Sequence, residues 1–254
     1  MNDTATISDY RRPVPFGRLV RVHARIWRAQ RGVVTGALVA LSAGLLSVTW
    51  SMGTLSGSVT GAAVSSRASG LPIGVFTLLW LAVGAAAAAA PFKSGWATVL
   101  LTVAPRRGRW LAACLVSFLV LAVAVTAAFA VLAFVLTMIV LAVTGHSPAL
   151  ALSIGRPMAA TLVTVLVQAG VGFVLGAATR SVTASIIIGY VLAPALLAIR
   201  IGSVDLGHWL DLSGALSALS SGPGHALPPA LTAMLLWLGV PALVAWSRLR
   251  SSVA

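Results

Sequence analysis

The sequence predicts an all-α integral membrane protein with six transmembrane helices, both termini cytoplasmic, and an amphipathic interfacial helix ahead of the first span. Three observations lead there. The chain is 59% hydrophobic and only 8% charged, whereas about a quarter of the residues in a soluble domain carry charge. Apolar runs of about twenty residues, the length that crosses a bilayer, recur along it. The basic residues that give a net charge of +13 gather at the ends of those runs. With six crossings, every Lys and Arg except Arg67, Arg156 and Arg200 falls on one side, the pattern of cytoplasmic loops.

In a soluble protein such charge would suggest nucleic acid. Beside apolar spans it reads as insertion orientation and contact with anionic membrane lipids, so no nucleic-acid partner is expected. The single cysteine, Cys114, lies in an apolar run. It has no disulfide partner and no metal-site partner, and is expected to be a small core residue. Roughly thirty polar and basic residues precede the first apolar run, so no cleavable leader is expected.

Residues 1–15 read as a polar tail. Residues 16–31 have helical period: Phe16, Leu19, Val20, Ile26 and Trp27 share one side, and Arg18, Arg21, Arg25 and Arg28 another. An apolar stripe beside a basic one predicts a helix in the headgroup layer, a depth that suits Trp27. The alternative is a solvated basic tail that only fixes orientation. The first span is expected at 32–52, followed by a polar loop rich in Ser, Gly and Thr with Arg67 as its one charge. The second is expected at 71–90, with Pro72 in its first turn. It ends in an alanine run, Ala85 to Ala90, whose small side chains would admit a neighbouring helix.

The third apolar segment, 110–144, contains no charge, proline or glycine. At ~1.5 Å per residue it is far longer than a hydrocarbon core of about 30 Å. Without a breaker it reads as one long helix rather than two short spans. An outer loop leads to the fourth span, 157–178, where Gly172 and Gly176 make a GxxxG pair for close helix packing. Arg180 marks a tight inner turn, and the fifth span, 182–199, contains Pro194. The outer segment 201–228 holds Asp205, His208, Trp209, Asp211 and His225. The last span, 229–246, contains Pro241 and leads to a cytoplasmic tail, 248–254, with Arg250.

Enzyme signatures are absent. The sequence has no GxxxxGK[ST] loop, no HExxH and no GxSxG. Its four acidic residues form no pair within a span, so acid–base catalysis and proton relays lack candidates. A zinc site from His208, Asp211 and His225 can be drawn, but solvated or interfacial side chains are the simpler reading. The spans carry no ionisable group of the kind an ion-coupled carrier uses. Energy for any transport should therefore enter from outside the membrane domain.

One stretch stands out, FKSGWATVLLTVAPRRGRW from Phe92 to Trp110. Trp96, Val99, Leu100 and Val103 lie on one helical face, between Lys93 and the cluster Arg106, Arg107 and Arg109. Pro105 and Gly108 end the run. It reads either as a short surface helix closed by an arginine turn or as an ordinary basic loop.

These residues resemble the type-2 ATP-binding-cassette (ABC) permeases, membrane subunits of bacterial exporters. The resemblance covers most of the chain: a basic amphipathic helix, six spans, and a cytoplasmic segment between the second and third. That segment in the family runs acidic residue, aromatic, two variable residues, Gly-Thr, a Leu-Leu pair, then Pro-Arg-Arg. Here Phe92, Gly95, Leu100 with Leu101, and Pro105 with Arg106 and Arg107 match, and Arg180 is similar to the family's inner-turn arginine. Pro91 stands where the acidic residue is expected and Trp96 where the threonine is expected.

The resemblance implies a coupling segment, 92–109, whose residues 93–104 receive a separate cytoplasmic ATPase subunit. ATP and Mg would belong to that partner, and this chain would bind no cofactor or metal of its own. A second permease subunit, identical or different, would complete the path in a bacterial inner membrane. The cargo implied is a drug, antibiotic, peptide or lipid. Two other readings are a non-transport immunity or sensor subunit, and an integral membrane enzyme using 201–228.

Overall fold

The structure, a computed structural model, describes residues 15–55, 59–69, 71–95, 107–191 and 227–251. Among them every regular element is helical. Five helices are long and apolar enough to cross a membrane: Arg31–Gly53, Gly74–Lys93, Gly108–Val143, Pro148–Thr179 and Leu231–Arg248. The chain is thus a multi-pass, all-α membrane protein. The first part of the expected fifth span is a ten-residue apolar helix, Val182–Val191. Residues 192–199 and the outer segment 201–226 lie outside the described residues.

In chain order the helices are α1 (Phe16–Ala29), α2 (Arg31–Gly53), α3 (Gly61–Ser69), α4 (Leu71–Lys93), α5 (Arg107–Val143), α6 (Gly155–Thr179), α7 (Val182–Val191) and α8 (Leu227–Ser251). Helix α5 runs unbroken for 37 residues. This is about 55 Å at ~1.5 Å per residue, well beyond the hydrocarbon thickness of about 30 Å. Helix α8 widens to a π-turn at Leu235–Gly239. Pro241 follows one residue later; it lacks the N–H that would bond the Trp237 carbonyl, and a wide turn absorbs that loss.

The closest helix pair is α4 with α6. A Cβ on Gly172 would strike the Leu81 carbonyl oxygen, and one on Gly176 would lie 2.5 Å from the Ala85 oxygen. In return, a Cβ on Gly84 would lie 2.8 Å from the Phe173 nitrogen and strike the Ala169 oxygen. Three glycines and the buried Ala85, Ala88 and Ala89 thus let the two backbones touch. Around this seam an aromatic chain fills the interior. Phe129 stacks on Phe76 at 4.1 Å, Phe76 meets Trp80 at 6.2 Å, Trp80 meets Phe118 at 6.1 Å, and Phe118 stacks on Phe173 at 5.7 Å. Beside this seam, Trp237 and Ala233 of α8 pack with Leu81 of α4 and with Val171 and Leu175 of α6.

Several expected boundaries change. The polar loop after the first span contains α3, whose Val64 is fully buried and whose Gly61 lies against Ser153. Ser153 belongs to a 3₁₀ turn, Pro148–Ile154, inside the expected outer loop. These two short helices cap one end of the bundle. The interfacial helix ends at Ala29, because Gln30 is extended (φ −78°, ψ 96°), and Arg31 already opens α2. Phe92 and Lys93 continue α4, and Arg107 to Arg109 form the first turn of α5, so only 94–106 connects them. The expected tail from Arg248 is helical to Ser251.

Candidate functional site

The end of the bundle opposite α3 gathers the basic residues. Helix α4 stops there with Gly95 at φ +74°, a left-handed backbone that glycine adopts without steric cost. Its N–H donates to the Phe92 carbonyl at 3.3 Å. Lys93 is exposed. Trp96, Val99, Leu100, Val103, Pro105 and Arg106 lie outside the described residues, and of Arg107 only the backbone is described. What the structure gives of the segment is its two anchors.

Those anchors meet. The Phe92 ring stands edge-on to Trp110, centroids 6.5 Å apart at 89°. The Arg180 guanidinium lies over the same Phe92 ring, 5.2 Å from its centre, within cation–π range. Arg180 closes α6 in the left-handed region (φ 56°), uncommon for a residue with a side chain. That turn is tied to the last helix twice. Arg180 Nη2 donates to the Arg248 carbonyl at 3.1 Å, and Arg248 Nη1 donates to the Ala178 carbonyl at 2.9 Å. Each arginine therefore donates to a carbonyl near the other's helix end, where a cation is favoured. Gly108 closes the ring of contacts, since a Cβ there would strike the Trp246 indole of α8.

Helix α1 joins this junction from the side. Trp27 is 2% exposed and packs edge-on to Phe118 at 6.2 Å. Its Nε1 donates to Ser117 Oγ at 2.7 Å, and Ser117 Oγ donates to the Cys114 carbonyl at 2.9 Å. The physical reason is the indole N–H, which needs an acceptor once buried and finds one on α5. His23 is also buried, against Cys114 Sγ at 3.4 Å and edge-on to Trp110 at 5.9 Å. Burial pushes its imidazole below the ordinary value. Arg18, Arg21, Arg25 and Arg28 are exposed. An apolar stripe suits lipid and a protein partner equally well, so amphipathicity alone does not point to this contact.

Cys114 is a buried core residue of α5. Among the described residues no group of three His, Cys, Asp or Glu side chains could hold a metal. His208, Asp211 and His225 lie outside them. The buried indole nitrogens of Trp80 and Trp110 find no acceptor among the described residues.

The end of α4, the start of α5, the α6–α7 turn, the end of α8 and, through His23, helix α1 bear on one cluster: Phe92, Trp110, Arg180 and Arg248. The chain matches no protein-family model and no curated protein.

Proposed function

We propose that this chain is the permease subunit of an ABC exporter in a bacterial inner membrane. It has six spans with both termini cytoplasmic, and a separate cytoplasmic ATPase subunit using ATP and Mg drives it. A second permease subunit completes the path, and the cargo is an amphiphilic small molecule, a peptide or a lipid. The observation that carries this reading is the anchoring of 94–106. Phe92 and Trp110, on either side of it, touch each other, and the Arg180 guanidinium lies over the Phe92 ring. A push delivered to that connection is passed to α4, α5, α6 and α8 together. Such a push biases rigid helices between two packings, as a switch driven by a partner's nucleotide state requires.

Composition supports the same reading. Asp3, Asp9, Asp205 and Asp211 are the chain's acidic residues, and none falls in an expected span. A proton- or cation-driven carrier would need such groups there. The chain itself is not an enzyme on this reading.

The test is purification of the tagged chain from membranes that also contain its candidate ATPase. The reading expects the ATPase in the eluate, with Mg-dependent ATP hydrolysis. A charged substitution such as Leu100→Asp or Val99→Asp should leave insertion intact and uncouple hydrolysis from transport. A chain that never retains an ATPase, or full transport by those variants, refutes it.

A further inference from the structure

We infer that α1 carries an anionic-phospholipid site: Arg18, Arg21, Arg25 and Arg28 form a fixed clamp for phosphate headgroups in the leaflet at the basic end of the bundle. At about 100° per residue the four arginines fall within one arc of about 80°. Phe16, Leu19, Val20, His23 and Trp27 occupy the opposite side of the helix. That opposite side is fastened to α5 by the Trp27–Ser117 hydrogen bond and the His23–Cys114 contact. The helix cannot roll, so the guanidinium groups point away from the bundle.

Among the described residues no carboxylate neutralises them. The described residues include no Asp or Glu, and the four acidic residues stand at 3, 9, 205 and 211. Four exposed guanidinium groups with no carboxylate partner among the described residues attract anions, and phosphate matches their planar donor fork.

Depth selects lipid over a soluble partner. Helix α1 contacts Trp110, Cys114 and Ser117, the opening turns of α5. Helix α5 is about 25 Å longer than a hydrocarbon core. Its opening turns follow Arg107 and Arg109, charges that belong at the membrane–water boundary rather than in hydrocarbon, which sets them at the headgroup layer. One residue separates α1 from α2, whose apolar span starts at once. Val22, 47% exposed at the margin of the basic arc, offers an apolar contact for acyl chains. The inference stands apart from the transporter reading, because it concerns this chain without any ATPase.

The experiment is native mass spectrometry of the purified full chain, released from nanodiscs of phosphatidylglycerol and phosphatidylcholine with matched acyl chains. The wild type should retain phosphatidylglycerol about tenfold over phosphatidylcholine. The quadruple variant R18Q/R21Q/R25Q/R28Q should lose that preference, and the four-lysine variant should keep most of it. Should the glutamine variant fail to fold, the wild type decides alone: raising ionic strength tenfold during release should erase the preference, since exposed charge pairs are screened. Equal retention of the two lipids, no response to salt, or undiminished preference in a folded glutamine variant overturns the inference. Preference unchanged while the glutamine variant loses an acidic protein partner also overturns it, and makes the arc a protein-docking surface.

Discussion

Gly172→Ala should destabilise the protein, although alanine is the better helix former. In a helix interior alanine is favoured over glycine by about 1 kcal/mol. At Gly172 a new Cβ would lie 2.8 Å from the Leu81 carbonyl carbon and 2.9 Å from its Cα, and would strike the carbonyl oxygen. These are backbone atoms of a packed helix, so no side chain can swing aside. Restoring ordinary contact requires α4 and α6 to separate by about 1 Å. A gap of that size forfeits roughly a quarter to a half of each contact's dispersion energy. Overpacking of this kind costs about 1–3 kcal/mol, and a backbone obstacle puts the cost near the upper end. After the propensity gain, the net loss should be about 1–2 kcal/mol. For a chain of this size that is a fall of roughly 2–8 °C in thermal midpoint.

Gly74→Ala supplies the control, because a Cβ there meets nothing within 4 Å. It should be neutral or raise the midpoint. Thermal unfolding of both variants in one detergent, followed by circular dichroism, measures the contrast. A Gly172→Ala midpoint equal to or above that of the wild type refutes the close α4–α6 seam.

Three further outcomes follow from the junction. His23 is held neutral by burial, so its contribution to stability is complete above pH 6.5, the ordinary imidazole value, and is lost as pH falls below it. The midpoint should therefore drop between pH 7 and 5, and His23→Phe should flatten that part of the curve. Ser117→Ala leaves the Trp27 indole N–H without its acceptor and should cost about 1–3 kcal/mol. Adding Trp27→Phe should recover part of this, a coupling that a double-mutant cycle on thermal midpoints reads directly. Arg180→Gly and Arg180→Ala both lose the bond to the Arg248 carbonyl, but only alanine keeps the left-handed strain. The glycine variant should be the more stable of the two by about 1 kcal/mol in the same unfolding assay.

The spans were legible because apolar length is a one-dimensional property. The absence of any glycine or proline between Trp110 and Thr144 also gave the continuity of α5. The GxxxG spacing pointed to Gly172 and Gly176, yet nothing in the pattern named Gly84 as the third member of the seam. Helix α3 was hidden because its serine-rich sequence lacks an apolar stripe; a single buried side chain, Val64, is enough to seat it under the 3₁₀ turn. Trp27 shows the limit most clearly. Amphipathicity says that one side of a helix leaves water, but not whether lipid or protein receives it. Only the Ser117 hydroxyl, ninety positions away, decides that. The junction of Phe92, Trp110, Arg180 and Arg248 brings together four distant segments, and each residue alone reads as a loop-flanking aromatic or a positive-inside charge. The left-handed stop at Gly95 could have been found, since a glycine just past the last helical residue is a known terminator.

The most direct test of the central claim is photo-cross-linking from position 100, with a benzophenone amino acid replacing Leu100 in membranes that contain the ATPase. The account predicts an adduct between this chain and the ATPase whose yield changes when ATP and Mg are added. Labelling of position 100 from the external face, or adducts with lipid alone in the presence of the ATPase, would contradict it.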